Sequence, residues 1–208
     1  MAEFFTAEYD RIAESWCRRR QKLPPKDKVL VDAFIRCLPV RSRLLDLGCG
    51  SGVPIGNLLC RSGFRVTGVD RSAKLLERAA AAMPGAGLVR ADLLHLPLNA
   101  VKGGFDGAVM WDVLFHLPRE THIPILESIY TRLHPGGCLI FTSGGCHDNI
   151  PPFTDEMFGV EFYYDAMPPD QTVRSCEALG FKVREYAVLN EPDGGRDKGR
   201  IGLLVSRP

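Results

Sequence analysis

Asp46, Asp70 and Asp92 are the residues whose spacing first suggests chemistry, because each stands at the end of a short β-type run. A carboxylate at a strand end is placed to accept hydrogen bonds from a ligand lying across the sheet. The run RLLDL passes through Asp46 into Gly48-Cys49-Gly50-Ser51-Gly52, and Val53-Pro54 opens the helical segment that follows, with a proline suited to a first helical turn. Glycines there let a ligand approach the backbone, and the amides at a helix start are free for its polar atoms. Asp70 follows Gly48 by 22 residues, the placement of a carboxylate that accepts from both hydroxyls of a ribose. Glycine spacing alone is a weak signal, and any one of these aspartates could be a helix N-cap or a loop residue. Three of them at successive strand ends mark a nucleotide-type binding turn.

The elements that must position these residues alternate along the chain. Strands are expected at about 43–47, 65–69, 87–91, 105–110, 138–143, 181–188 and 201–206, with helices near 54–62, 72–83, 119–133 and 170–179. Leu75, Leu76, Ala79, Ala80 and Met83 recur at helical spacing and give the second of these helices one apolar face. Gly63, Pro84-Gly85, Pro135-Gly136-Gly137 and Gly180 mark helix ends. This is the pattern of an α/β chain with a mostly parallel sheet. The last two strands are joined only by the polar stretch from Asn190 to Gly199, short enough for a hairpin. Ahead of the first strand lie an amphipathic stretch from Tyr9 to Arg20, a Pro24-Pro25 break and a second helix at about 26–38.

Composition bounds the function. With 208 residues, 45% hydrophobic and 25% charged, the chain is neither disordered nor fibrous, and one domain over 1–208 is the default reading. Lys+Arg 26 against Asp+Glu 25 gives a net charge of +1, which disfavours wrapping of nucleic acid by basic surface. The longest apolar stretch, Leu47 to Cys60, is broken by Gly48, Gly50, Gly52 and Pro54, so no membrane span is expected. The first ten residues carry Glu3, Glu8 and Asp10 and no basic segment before an apolar one, so the expected location is cytoplasmic. Seven cysteines without a C-x-x-C pair fit reduced thiols. Cys146-His147 could supply half of a metal site, but adjacent side chains rarely ligate one ion together and no second pair stands at ligand spacing, so no metal is expected. The segment from Gly144 to Val173 holds Asp148, Asp155, Glu156, Glu161, Asp165 and Asp170 without a Lys or Arg, opposite in sign to Arg18-Arg19-Arg20. The two are either complementary surfaces or two unrelated solvated faces.

LLDLGCGSGVPIGNLL, VTGVDRSAKLLERA, RADLLHLPL, FDGAVMWDVLFHL and LHPGGCLIFTS, in that order over roughly residues 40 to 143, resemble the successive motifs of class I S-adenosylmethionine-dependent methyltransferases. Trp16, Arg20, GCGSGVPI, WDVLFHL and FTSGG resemble a group of small bacterial methyltransferases of unassigned substrate. The resemblance implies a Rossmann-like, doubly wound, seven-stranded sheet of order 3-2-1-4-5-7-6, with strand 7 antiparallel, behind N-terminal helices. It divides the chain into a helical cap at 1–39, a cofactor-binding core at 40–143, a substrate-side insert at 144–170, and a last helix and hairpin at 171–208. S-adenosyl-L-methionine is the implied cofactor and S-adenosyl-L-homocysteine its product. Asp46, Gly48, Cys49, Gly50 and Gly52 resemble the motif at the amino-acid part of that cofactor. Asp70 resembles the ribose acid, followed by Arg71, while Asp92 and Leu93 resemble the pair beside the adenine. Trp111 and Asp112 match the segment lining the methionine end and the acceptor mouth, and Tyr9, Trp16 and Arg20 would close from the N-terminal side. Trp111 and Trp16 are equally readable as packing residues.

The implied reaction is an in-line displacement in which alignment of nucleophile, carbon and sulfur does most of the work. For a hydroxyl or protonated amine acceptor a base helps, and His116, Asp112 and Tyr164 are the candidates. His116 is also readable as a structural histidine, and Tyr163 and Tyr164 as pins for their loop. The acidic insert suggests a cationic acceptor. The expected partner is a small-molecule acceptor, with neither nucleic acid nor membrane; oligomeric state is not legible. Alternatives are a cofactor-binding module without transfer activity and an NAD(P)-dependent oxidoreductase. The latter's glycine pattern wants Gly or Ala where Val53 stands.

Overall fold

The computed structural model describes residues 7–95, 104–147, 149–195 and 197–208. Glu3, the Leu96–Leu98 end of the third motif and Asp148 lie outside the described residues. In chain order the elements are α1 (Glu8–Arg19), α2 (Pro25–Arg36), β1 (Arg43–Leu47), α3 (Ile55–Arg61), β2 (Arg65–Asp70), α4 (Ala73–Ala82), β3 (Gly87–Arg90) and β4 (Phe105–Met110). They continue with α5 (His122–Arg132), β5 (Leu133–Gly144), β6 (Phe153–Met157), β7 (Val160–Tyr164), α6 (Pro169–Ala178), β8 (Lys182–Asn190) and β9 (Arg200–Ser206).

Seven strands form one sheet in the order β3-β2-β1-β4-β5-β9-β8. The first five are parallel, and β9 runs antiparallel to both neighbours, which the nine-residue hairpin connection allows for its pairing with β8. This is the expected Rossmann-like order, with the last two strands numbered 8 and 9 because a hairpin precedes them. Alternation along the strands divides the core. Leu45, Leu47, Met110, Leu139, Phe141 and Leu203 pack on the side of α5 and α6, while Leu44, Val66, Val109, Ile140 and Leu204 pack against α2, α3 and α4. The order reverses between β1 and β4, so a crevice opens at their carboxyl ends, where open α/β sheets hold ligands.

Two expectations are corrected. The helix after the glycine turn opens at Ile55, not at Val53-Pro54; Pro54 is its flanking residue and follows a cis peptide bond. β5 starts at Leu133 rather than 138, because Leu133 already pairs with Phe105 ahead of a register shift at Phe105/Gly107. The insert at 144–170 is built on the β6–β7 hairpin, turned through Phe158 and Gly159, both at positive φ. Met157, Val160 and Phe162 on its inner face are buried against Ile12 of α1, and Phe162 and Tyr164 also pack on Phe115 and His116 in the segment after β4.

Candidate cofactor and acceptor site

The carboxyl ends of β1 and β2, with the turn after β3, bring Asp46, Asp70 and Asp92 to one edge of the sheet. Most of the glycine-turn amides are spent internally. Gly48 and Cys49 donate to the Val69 carbonyl at 2.7 and 3.0 Å, Gly52 to the Cys49 carbonyl at 2.9 Å, and Gly50 to Asp70 Oδ2 at 2.8 Å. The turn therefore serves a ligand less through its amides than through the space it leaves. A Cβ on Gly48 would stand 2.2 Å from Val113 Cγ2 and one on Gly52 2.9 Å from Met83 Cγ, so packing demands those two glycines. At Gly50, with φ +55°, a Cβ would meet only Leu75 Cδ1 at 3.9 Å, which leaves open space in front of the backbone.

Asp70 Oδ1 accepts from the Ser72 amide at 2.8 Å and Oδ2 from Gly50, and each oxygen keeps a second lone pair for a ribose hydroxyl. Burial pushes its carboxyl up, against the pull of these backbone bonds. Asp46 is buried at 4% exposure, and among the described residues no hydrogen bond reaches its carboxylate. Burial, with the nearby Asp70 charge adding, pushes its pKa up to about 7. A buried, unpaired carboxylate of that kind is suited to a cationic ligand group. Cys49 is held as a thiol by burial and by Asp46, with its sulfur against Gly68. Asp92 accepts from the Leu94 amide at 2.9 Å while Leu93 packs on the α5 side of the core. Arg71 pairs with Glu8 of α1 instead of facing the crevice alone.

α1 lies over this crevice. Its buried Asp10 accepts from Ser72 Oγ at 2.5 Å and from the Lys74 amide at 3.1 Å, while Ser72 Oγ accepts from the Leu75 amide at 3.1 Å. Helix α1 thus supplies half of the N-cap of α4. Tyr9 and Trp16 sit edge-to-face at 5.3 Å, and Arg20 lies over the Trp16 ring at 5.2 Å. Beyond them opens a cavity of about 740 Å³ whose walls include Trp16, Phe115, Phe153, Met157 and Tyr164, with His116 and Asp112 facing it.

The three sequence-derived base candidates come together at this cavity but are not equivalent. His116 Nδ1 lies 3.0 Å from the Tyr163 carbonyl and therefore carries the proton, leaving Nε2 to accept from the Tyr9 hydroxyl at 3.0 Å. Burial holds the Tyr9 phenol far above its ordinary pKa, with Tyr164 and Asp112 adding, so Tyr9 stays a donor. Tyr164 stacks on Phe153 at 5.1 Å and lies 4.9 Å from the His116 ring. Asp112, at φ +56°, takes Arg20 on Oδ2 and Arg200 on Oδ1 at 2.5 Å, with Thr142 Oγ1 at 3.2 Å. Burial works against its charge, yet the two guanidiniums outweigh burial and hold it below the usual carboxylate range. A carboxylate so paired is an anchor and a poor proton acceptor. Trp111 does not reach the cavity: it is buried on the α2 side, with no acceptor for Nε1 among the described residues. Asp165 is taken by Arg119 at 2.6 Å, which removes one member of the acidic insert from a role in drawing in a cationic acceptor.

Asp10, Asp27 and Arg200 were not legible as site residues. Asp27 follows the Pro24-Pro25 break and reads as an ordinary first-turn acid, yet it is fully buried and accepts from Arg200 at 2.9 Å. Asp10 reads as one of several acids near the N-terminus.

Residues 44–137 match a family model described as a methyltransferase domain. Over that stretch the chain is similar to methyltransferase domains, and its sheet order is that of the class I fold. It is similar over 136 residues, at 30% identity, to the tRNA (carboxymethyluridine(34)-5-O)-methyltransferase of Saccharomyces cerevisiae, covering 65% of this chain and 46% of that protein. It is 33% identical over 122 residues to the malonyl-[acyl-carrier protein] O-methyltransferase of Enterobacter lignolyticus, covering 58% of this chain and 46% of the relative. The chain thus spans about half the length of these curated relatives. In fold it superimposes on a DhpI–SAH complex with TM-score 0.73 at 18% identity, covering 99% and 96% of the two chains. It also matches the Burkholderia thailandensis 1,6-didemethyltoxoflavin-N1-methyltransferase, with TM-score 0.70 at 16% identity and 97% and 84% coverage. No helix among the described residues is long and apolar enough to cross a membrane.

Proposed function

We propose that the protein transfers a methyl group from S-adenosylmethionine to a small, aromatic-bearing acceptor with a hydroxyl or amine nucleophile. The observation that carries this reading is the aromatic-walled cavity of about 740 Å³, bounded by His116, against the carboxyl ends of the strands. Its size falls within the range of small-molecule sites, and a stack of rings favours a flat acceptor. When bound, the cofactor supplies an electrophilic methyl on a sulfonium. Asp70 holds the ribose hydroxyls, Asp46 faces the cationic end, Asp92 and Leu93 flank the base, and α1 covers the crevice. His116 Nε2 takes the acceptor proton once the acceptor replaces the Tyr9 hydroxyl at that nitrogen. The cavity walls carry both signs, Arg19, Lys22 and Lys198 against Glu156 and Asp197, so they do not select for a cation.

Incubation of the protein with cofactor labelled in its methyl, against a panel of phenols, aromatic amines and bulk transfer RNA, tests the reading. Label is expected in a phenol or aromatic amine, with His116→Ala slowing transfer by about 10²–10⁴-fold. Label in RNA and in none of the small molecules overturns the acceptor class.

A further inference from the structure

Cys146 and His147 follow the end of β5 after one residue, Gly145, and the connection after β8 brings Glu191 to them from 44 residues beyond His147. Cys146 is buried at 5% exposure, and its Sγ lies 3.4 Å from Glu191 Oε2. His147 Nε2 lies 2.7 Å from the same oxygen, and one donor atom of each residue falls within 4.8 Å of the other two. We propose that Cys146, His147 and Glu191 form a divalent-cation site, with Zn²⁺ as its ion, in the wall behind the acceptor cavity.

The donor set is a thiol, an imidazole and a carboxylate, the combination that suits Zn²⁺ over the hard oxygen-seeking cations. Around a tetrahedral zinc with bonds of about 2.0–2.3 Å, a sulfur and an oxygen ligand stand roughly 3.5 Å apart, close to the separation already present. The His147–Glu191 pair must open from a hydrogen bond to a ligand edge, a movement of roughly half an ångström. Both side chains are more than half exposed, at 59% and 60%, and are free to make it. The buried member is held more firmly. Gly145 donates to the Gly199 carbonyl at 2.9 Å, and a Cβ on Gly199 would stand 2.6 Å from Cys146 Sγ, so the returning chain fixes the sulfur. Gly144, Gly145, Asn190 and Gly199, which flank the cluster, also line the acceptor cavity. Binding releases the Cys146 thiol proton to solvent, and three protein ligands leave a fourth position for water. The ion would tie the β8–β9 connection to the end of β5 and so hold one wall of the cavity. The proposal stands independently of the acceptor reading.

Metal-stripped protein titrated with Zn²⁺, followed by calorimetry and metal analysis, decides it. One equivalent per chain is expected, with Cys146→Ser weakening binding at least thirtyfold and Glu191→Gln about tenfold. Cobalt in place of zinc should give a thiolate-to-metal charge-transfer band that Cys146→Ser abolishes. His147→Ala, at an exposed position, keeps the test informative if the cysteine variant folds poorly. No binding to the native chain, or unchanged affinity and stoichiometry in both Cys146→Ser and His147→Ala, overturns the site.

Discussion

Asp46 shows how surroundings reset the proton affinity of a single side chain. Its pKa is moved from 3.8 to about 7 by burial, reinforced by Asp70. A folded-state value above the unfolded one means that this group favours folding in acid, and that the benefit is lost as pH rises through about 7. Asp46→Asn should therefore raise the melting temperature of the cofactor-free protein at pH 8, by ~1–3 kcal/mol or roughly 2–10 °C. It should leave stability near pH 4 little changed and weaken S-adenosylmethionine binding by at least about tenfold. Melting curves at both pH values and calorimetric titration of the cofactor read the two effects; lower stability at pH 8 with unchanged affinity would contradict this role. The glycines separate in the same way. Gly50→Ala carries mainly left-handed strain, ~1–2 kcal/mol, and should bind cofactor poorly while folding. Gly48→Ala adds a Cβ 2.2 Å from Val113 and should cost more in stability, partly recovered by Val113→Ala.

At the scale of elements, α1 is a cover whose hinge point is chemical. Asp10 completes the N-cap of α4, Glu8 pairs with Arg71, and Ala13 and Cys17 pack on Leu75. The other side of α1 meets the β6–β7 hairpin through Ile12, so one helix spans the cofactor crevice and the acceptor cavity. Asp10→Ala should cost ~0.5–2 kcal/mol, the range for a lost cap. The diagnostic reading is hydrogen exchange: faster exchange in α1 and the first turn of α4, with β1 and β4 unchanged. Uniform acceleration across the sheet would mean that Asp10 supports the whole fold and not the docking of α1.

Across the whole molecule, a buried ion network ties distant segments together. Arg20 from the end of α1, Asp27 of α2, Asp112 after β4 and Arg200 of β9 meet in one chain of ion pairs, with Asn190 of β8 accepting from Arg200 at 2.9 Å. Asp112→Ala leaves Arg20 without its carboxylate and Arg200 with only Asp27, and should cost about 3–5 kcal/mol, read as a drop in melting temperature. Because the folded pKa of Asp112 is lowered, its contribution is present above the unfolded value of 3.8 and lost as pH falls through the folded one. The variant's deficit should accordingly shrink in strong acid. The sequence by itself determined the order of the seven main-sheet strands, though not the β6–β7 hairpin, since alternating apolar strands, one amphipathic helix face and glycine stops are local patterns that a parallel sheet must satisfy. It also placed Asp46, Asp70 and Asp92 at strand ends, because strand register carries residue number directly into position. Only the tertiary structure decided which glycine faces open space, that Trp111 is core, that Asp112 is already paired, and that Asp10, Asp27, Arg200 and Glu191 reach partners far away in the chain. Those outcomes depend on through-space contacts between segments, and burial, pairing and proton affinity are set by neighbours that sequence distance does not reveal.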